Sequence, residues 1–295
     1  MSQSRVLFCV FLIVFFLPIS LFARSAPVFV TVDWLAQHLS DPTLVVVDIR
    51  GAEQYNKGHV PGAVHAPFSS WAPENRGLSL EVPPDNILLD LIGRCGIKVD
   101  STVVVVNRTD TDFSRADAMR VAWTCILAGV KDACVLDGGY SKWLTTKQRT
   151  STEITPLRPT RYDGKVDRSV IASRDYVLRK IGKSVIVDTR TPEDYFGISS
   201  KEGHVKSAVN LPAPWAYASD GSIKSEADLR AMAAGVIGKN KSKEVIVYCG
   251  VGGFASTWWL LLTQMLGYQN VKVYDGSMEE WIQSPGAPLA TFSWH

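Results

Sequence analysis

The sequence carries almost no net charge: 31 Lys and Arg face 29 Asp and Glu, giving a formal +2 at pH 7 with the signs interspersed. That balance offers no basic stripe for a phosphate backbone, so a nucleic-acid partner is not expected. Cysteine is scarce too, with five in 295 residues, and no pair has zinc-type spacing, so neither a metal nor a cofactor is expected. Beyond Cys9 the chain keeps Cys95, Cys125, Cys134 and Cys249, an even number that invites a disulfide reading. Cys125 falls in an apolar helical stretch and Cys134 opens an apolar strand, so both read as core thiols. Cys95 precedes Gly96 at a turn and reads as exposed.

Long apolar runs are missing except at the N-terminus. Val6 to Phe16 is apolar, follows Arg5, and continues through Pro18 to Phe22 before the small residues of Ala23-Arg-Ser-Ala26. Residues 1–26 therefore read as a signal peptide, cleaved after Ser25 or after Ala23, which implies export, most simply to a periplasm. The alternative is an uncleaved membrane anchor, since the run is just long enough. An organellar presequence is the third option.

What remains is rich in short β-branched runs. They are bounded by Asp or Gly and alternate with helical patterns expected at 115–128, 173–181, 226–234 and 256–266. Such runs read as buried parallel strands with crossover helices, hence an α/β fold. One of them delivers a thiol: Val245-Ile-Val-Tyr-Cys-Gly-Val-Gly-Gly-Phe-Ala-Ser256. Strand, cysteine, glycine-rich turn and a helix expected to begin near Ala255 or Ser256 predict backbone N–H groups converging on the sulfur. Those dipoles favour a thiolate and a lowered pKa. Gly250, Gly252 and Gly253 permit positive φ and close approach of an anion. The plainer alternative is a buried core cysteine, which does not need three glycines.

The strand motifs occur twice, about 140 residues apart. Val45-Val-Val-Asp-Ile-Arg50 answers to Val185-Ile-Val-Asp-Thr-Arg190, and Gly58-His-Val-Pro-Gly-Ala-Val64 to Gly203-His-Val-Lys-Ser-Ala-Val209. Val103-Val-Val-Val-Asn107 answers to Val245–Cys249, and Val135-Leu-Asp-Gly-Gly-Tyr-Ser-Lys-Trp143 to Val273–Trp281. The repeat is a whole domain. Where the second copy has Cys249 the first has Asn107, followed by Arg-Thr-Asp-Thr-Asp without glycine. The first copy thus reads as a structural half that walls the cleft of the second.

Four motifs in this order, present twice, make the chain resemble the rhodanese family of sulfurtransferases, in its tandem two-domain form. The resemblance implies two rhodanese-like α/β domains, each a parallel sheet flanked by helices, at 28–146 and 168–285. The polar segment 147–167 joins them. It makes Cys249 the nucleophile and Gly250, Val251, Gly252, Gly253, Phe254 and Ala255 the loop that stabilises a cysteine persulfide. Thiosulfate or 3-mercaptopyruvate is the implied donor, cyanide or a thiol the acceptor, with a protein acceptor as an option. Arg190 matches the family's first substrate arginine, able to pair with a carboxylate or sulfonate unless Asp194 or Glu193 takes it. The second arginine found in carboxylate-binding relatives is absent. The loop also lacks the cationic side chains of thiosulfate-preferring relatives and the Cys-Gly-Ser-Gly-Val-Thr of mercaptopyruvate-preferring ones.

Asp48, Asp188, His59 and His204 recur in both copies and read as mainly structural, with Asp188 and Ser256 as supporting candidates at the loop. Trp215 and Tyr217 line either the cleft mouth or the domain interface. Trp258 and Trp259 read as core, and Asp275, like Asp137, as a turn residue. Two other functions remain open: a persulfide carrier with poor small-molecule turnover, and a phosphatase-like Cys-x5-Arg site. The second is disfavoured because Ala255 occupies the arginine position.

Overall fold

The computed structural model describes residues 24–199 and 202–292. The apolar run at 6–22 lies outside the described residues, and with it the signal or anchor expected there. The first sheet comprises β1 (Phe29–Val30), β2 (Leu44–Asp48), β3 (Val64–His65), β4 (Thr102–Val106) and β5 (Asp132–Leu136). Its order is β1-β5-β4-β2-β3, with every pairing parallel. The second comprises β6 (Ile171–Ala172), β7 (Val185–Asp188), β9 (Val209–Asn210), β10 (Val245–Tyr248) and β11 (Val271–Tyr274). Its order β6-β11-β10-β7-β9 reproduces the first sheet, again all parallel. The remaining strands, β8 (His204–Val205) and β12 (Leu289–Ala290), form a small antiparallel pair.

The β-branched runs are buried because helices cover both faces of each sheet. All five residues of β4 and all four of β10 are buried. The expected repeat of a parallel α/β domain is therefore present in three dimensions.

The copies share small polar devices as well. Asp48 grips Arg50 (Oδ2 to Nη2, 2.6 Å), and Arg50 also donates to the Gly58 carbonyl at 2.8 Å. Asp188 grips Arg190 at 2.6 Å, and Arg190 donates to the Gly203 carbonyl at 2.7 Å. His59 stacks on Tyr55 and His204 on Tyr195, each pair 3.8 Å between ring centroids. These residues tie a turn to a strand in both halves, including the half that has Asn107 in place of Cys249.

The helix Asp112–Leu127 begins three residues before the expected Arg115. Thr111 caps it by accepting from the Ser114 N–H at 3.0 Å, and Asp112 favours the first turn. It is buried on nearly every side, because it packs on its own sheet and on the helix Gly253–Leu260 of the second domain. Trp123 and Trp259 meet edge to face in that seam.

The segment expected as the interdomain linker is strapped to the first domain. Thr160 donates to the Gly93 carbonyl at 2.9 Å, and the Tyr162 hydroxyl donates to the Ala128 carbonyl at 2.9 Å. A Cβ on Gly93 would lie 2.4 Å from the Thr160 oxygen, so only glycine lets the strap close.

Cys125 and Cys134 lie in the core, as expected, and Cys95 departs from the sequence reading. All four described are free, and Cys95, expected at the surface, is only 4% exposed because Gly96 turns the chain beneath the strap. Burial pushes the Cys95 thiol up to about 12 and the Cys134 thiol up to about 11.

Candidate active site

Cys249 follows β10 and is 2% exposed, at the floor of a cavity of about 190 Å³. The helix after it starts at Gly253, earlier than expected, with Gly252 in the left-handed region at φ +85° as its cap. Gly253, Phe254 and Ala255 are thus the first turn of a helix, whose N–H groups have no intrahelical acceptor. The N–H groups of Ala255, Val251 and Phe254 point at the Cys249 sulfur, joined by the Ser277 hydroxyl.

The three-glycine argument reduces to one position. Gly252 needs its positive φ, and a Cβ there would meet Asp275 Oδ1 at 2.8 Å and Arg120 Nη1 at 3.0 Å. Gly250 and Gly253 have neither positive φ nor a close neighbour.

The expected fall in the thiol pKa is also corrected. Burial pushes the Cys249 thiol above its ordinary 9.0, and the converging donors oppose that shift without cancelling it. A sulfur shut away from water loses more hydration than these donors return, which favours the neutral thiol.

Ser277 was not singled out by the sequence. It is fully buried, its Oγ accepts from the Cys249 N–H at 3.1 Å and is 2.9 Å from the Tyr274 carbonyl, its other acceptor, while the Cys249 sulfur lies at 4.0 Å. Its backbone sits at φ +49°, a conformation costly for any residue with a Cβ. The matching residue of the first copy is Gly139, at φ +57°. A serine where the silent copy uses glycine was the available signal.

Arg190 lines the same cavity, as does Asp194. Its ion-pair partner is Asp188 rather than Asp194 or Glu193, which leaves Nη1 without a hydrogen-bond partner among the described residues. Asp188 also accepts from the Tyr248 hydroxyl at 2.8 Å, tying that pair to the strand residue before Cys249. Ser256 is buried and bonds the Gly252 carbonyl at 3.4 Å, not the sulfur.

Trp258 and Trp259 are core residues, as expected. Trp215 is 52% exposed and does not line the cavity. Tyr217 is buried at the domain interface, under Arg115 at 5.2 Å.

The opposite wall comes from the first domain: Leu80, Phe113, Ala116 and Asp117. Phe113 stacks on Phe254 with centroids 5.2 Å apart. Arg120, wholly buried, pairs with Asp275 at 2.5 Å and donates to the Gly252 carbonyl at 3.3 Å. Asp275 is therefore more than a turn residue. Its other oxygen accepts from the Val82 N–H at 2.9 Å, as Asp137 accepts from Ile223 at 2.8 Å in the mirrored contact. Each domain's Asp-Gly turn accepts a backbone N–H from the other domain.

The Rhodanese-like domain profile matches residues 31–146 and again 173–284. The sulfur carrier protein TtuD of Thermus thermophilus is 33% identical over 283 residues, covering 89% of this chain and 96% of that protein. A Mycolicibacterium smegmatis protein, named provisionally as a thiosulfate sulfurtransferase, is 32% identical over 286 residues, covering 90% and 98%. Among solved structures, wild-type EanB aligns with TM-score 0.77 at 21% identity, over 90% of this chain and 69% of that one. The anaerobic ergothioneine biosynthesis enzyme of Chlorobium limicola, in complex with trimethyl histidine, aligns with TM-score 0.77 at 22% identity, over 90% and 70%. Those two share the fold. With two matches spanning both sheets and relatives aligned over nearly their whole length, this chain belongs to the rhodanese family as a tandem of two rhodanese-like domains.

Proposed function

We propose that this protein is a sulfurtransferase that carries sulfane sulfur as a persulfide on Cys249. One observation carries the reading: the Cys249 sulfur lies on a cavity floor with the Val251, Phe254 and Ala255 N–H groups and the Ser277 hydroxyl directed at it. A persulfide puts its charge on the outer sulfur, where preorganised donors in a water-poor site hold it most effectively. Cys249, on losing its proton, attacks the outer sulfur of thiosulfate, breaking its S–S bond and releasing sulfite, or the single sulfur of 3-mercaptopyruvate, breaking its C–S bond and releasing an enolate; a second nucleophile such as cyanide or a thiol then takes the sulfur away. Arg190, which lines the cavity and keeps Nη1 without a partner among the described residues, receives the anionic end of the donor.

Cyanide-dependent thiocyanate formation with each donor tests this. Cys249→Ser removes it while near-ultraviolet circular dichroism stays unchanged. Activity retained in Cys249→Ser would refute the role of the thiol.

A second reading is a persulfide carrier that exchanges sulfur with a partner protein. The cavity favours it in one respect, because Leu80, Phe113, Ala116, Val251 and Phe254 make its walls apolar, with few groups to hold a small dianion. A relative named as a sulfur carrier points the same way. Saturable turnover with thiosulfate or mercaptopyruvate favours the enzyme; sulfur uptake without turnover favours the carrier.

Export is part of the proposal, resting on residues 1–26, with retention as an anchor the alternative. Among the described residues no helix is long and apolar enough to cross a membrane.

A further inference from the structure

The cavity over Cys249 holds an acid that the mechanism above does not use. Asp117 stands on the first domain's helix one turn after Phe113 and one turn before Arg120, on the same face. The turn before it is fixed by the Phe113–Phe254 stack at 5.2 Å, the turn after it by Arg120 on Gly252 and Asp275. Asp117 is thereby held at the wall of the cavity that contains Cys249 and Arg190.

Its surroundings are poor in partners. The carboxyl accepts no hydrogen bond from the described residues, and the walls beside it are Leu80, Phe113 and Phe254. The charges around it are largely committed elsewhere. Arg108 pairs with Asp110, Arg115 with Asp112, Arg120 with Asp275, and Arg190 with Asp188. Asp194 faces it across the cavity, Glu81 follows Leu80, and Tyr217 lies nearby at the interface. No histidine lines the cavity. Burial pushes the Asp117 carboxyl up to about 7, with Arg108 opposing.

We propose that Asp117, from the domain without the thiol, is the acid–base group of the Cys249 cavity, serving sulfur donors whose leaving group is a thiolate. The proposal rests on the Cys249 persulfide reading. With an organic persulfide R–S–SH, the Cys249 S–H bond breaks and its proton passes to an Asp117 carboxylate oxygen. Sγ bonds the donor's outer sulfur as the donor's S–S bond breaks. The electron pair of that bond stays on the inner sulfur, which takes the proton back from Asp117 and leaves as R–SH. Cys249 is oxidised to the persulfide and the donor reduced to the thiol, so no other oxidant is needed. A carboxyl titrating near neutrality matches this two-way proton traffic. With thiosulfate Asp117 still takes the Cys249 proton, but sulfite leaves without taking it back, so that donor draws on only half of the proton traffic.

Single-turnover sulfur uptake by Cys249 from glutathione persulfide and from thiosulfate, across about pH 5 to 9, tests the assignment. The wild type shows an inflection near pH 7 with glutathione persulfide. Asp117→Asn loses that inflection and slows about 100-fold with this donor, and slows clearly less with thiosulfate, whose leaving sulfite takes no proton back. Asp117→Glu restores an inflection. Asp117→Ser backs up the Asn variant should that not fold, since neither breaks a bond. An inflection that persists in Asp117→Asn, or equal slowing with both donors, overturns the proposal and leaves the persulfide reading standing. A wild type that takes sulfur from neither donor removes the persulfide reading itself.

Discussion

Cys249 and Ser277 show how far single residues reveal chemistry. The thiol stood out in the sequence because a β-branched strand runs directly into it and glycines follow. Its protonation state did not, since backbone donors were visible in the pattern and complete burial was not. The two effects have opposite signs, and burial is the larger. Alkylation of Cys249 by iodoacetamide should therefore accelerate with pH without a plateau below the ordinary thiol value of 9.0. A plateau near neutrality would mean that the donors outweigh burial. Ser277 carries backbone strain for the sake of its hydroxyl. Ser277→Ala and Ser277→Gly should both slow sulfur transfer about tenfold or more, by losing a group directed at the sulfur. The alanine variant should also be less stable than the glycine variant by about 1 kcal/mol, because only it keeps a Cβ at positive φ. Chemical denaturation of the pair measures that difference.

The helix Asp112–Leu127 is the element whose role was least legible. Sequence reading gave its existence and assigned its domain to walling the cleft, but not which face does so. Phe113, Ala116, Asp117 and Arg120 fall on one face by helical spacing, yet that pattern becomes meaningful only once the second domain's loop is placed against it. The charged Asp117 and Arg120 inside the run Ala-Asp-Ala-Met-Arg-Val-Ala-Trp were the visible anomaly. Parallel strands were far easier to read, because burial on both faces leaves an uninterrupted β-branched run. Arg120→Ala should cost about 3–5 kcal/mol, since it strands the buried Asp275 charge and the Gly252 carbonyl. It should also lower Cys249 sulfur transfer, because Gly252 sits at the turn that aims the donors. Stability loss with unchanged sulfur transfer per folded molecule would show that Arg120 only joins the domains.

Across the whole molecule, duplication supplies two α/β halves and divergence leaves the thiol in one of them, while the other supplies a wall and the buried arginine. The repeat predicted that architecture; the exchange of contacts between halves, Val82 to Asp275 and Ile223 to Asp137, had no signature in either half alone. The interface also carries an acid out of its usual range. Burial and the neighbouring Asp275, Glu280 and Glu279 charges push Glu81 from 4.5 up to about 8, against the pull of Arg120. A carboxyl raised on folding contributes stability that is full below its unfolded value and lost as pH climbs through its folded one. Thermal stability should thus decline between about pH 4.5 and 8, and Glu81→Gln should flatten that decline. At the N-terminal edge, Arg24 donates to the Ala133 carbonyl at 2.7 Å and Ser25 Oγ to Asp132 at 2.5 Å. A chain beginning at Arg24 would keep these contacts, and one beginning at Ala26 would lose them. The central claim remains the sulfur on Cys249. Mass spectrometry of the purified protein, before and after thiosulfate, 3-mercaptopyruvate and glutathione persulfide, measures it directly. The account predicts one added sulfur mass on the Cys249 peptide, released by cyanide. No adduct from any donor, on protein whose Cys249 is reduced and still alkylates, would contradict it.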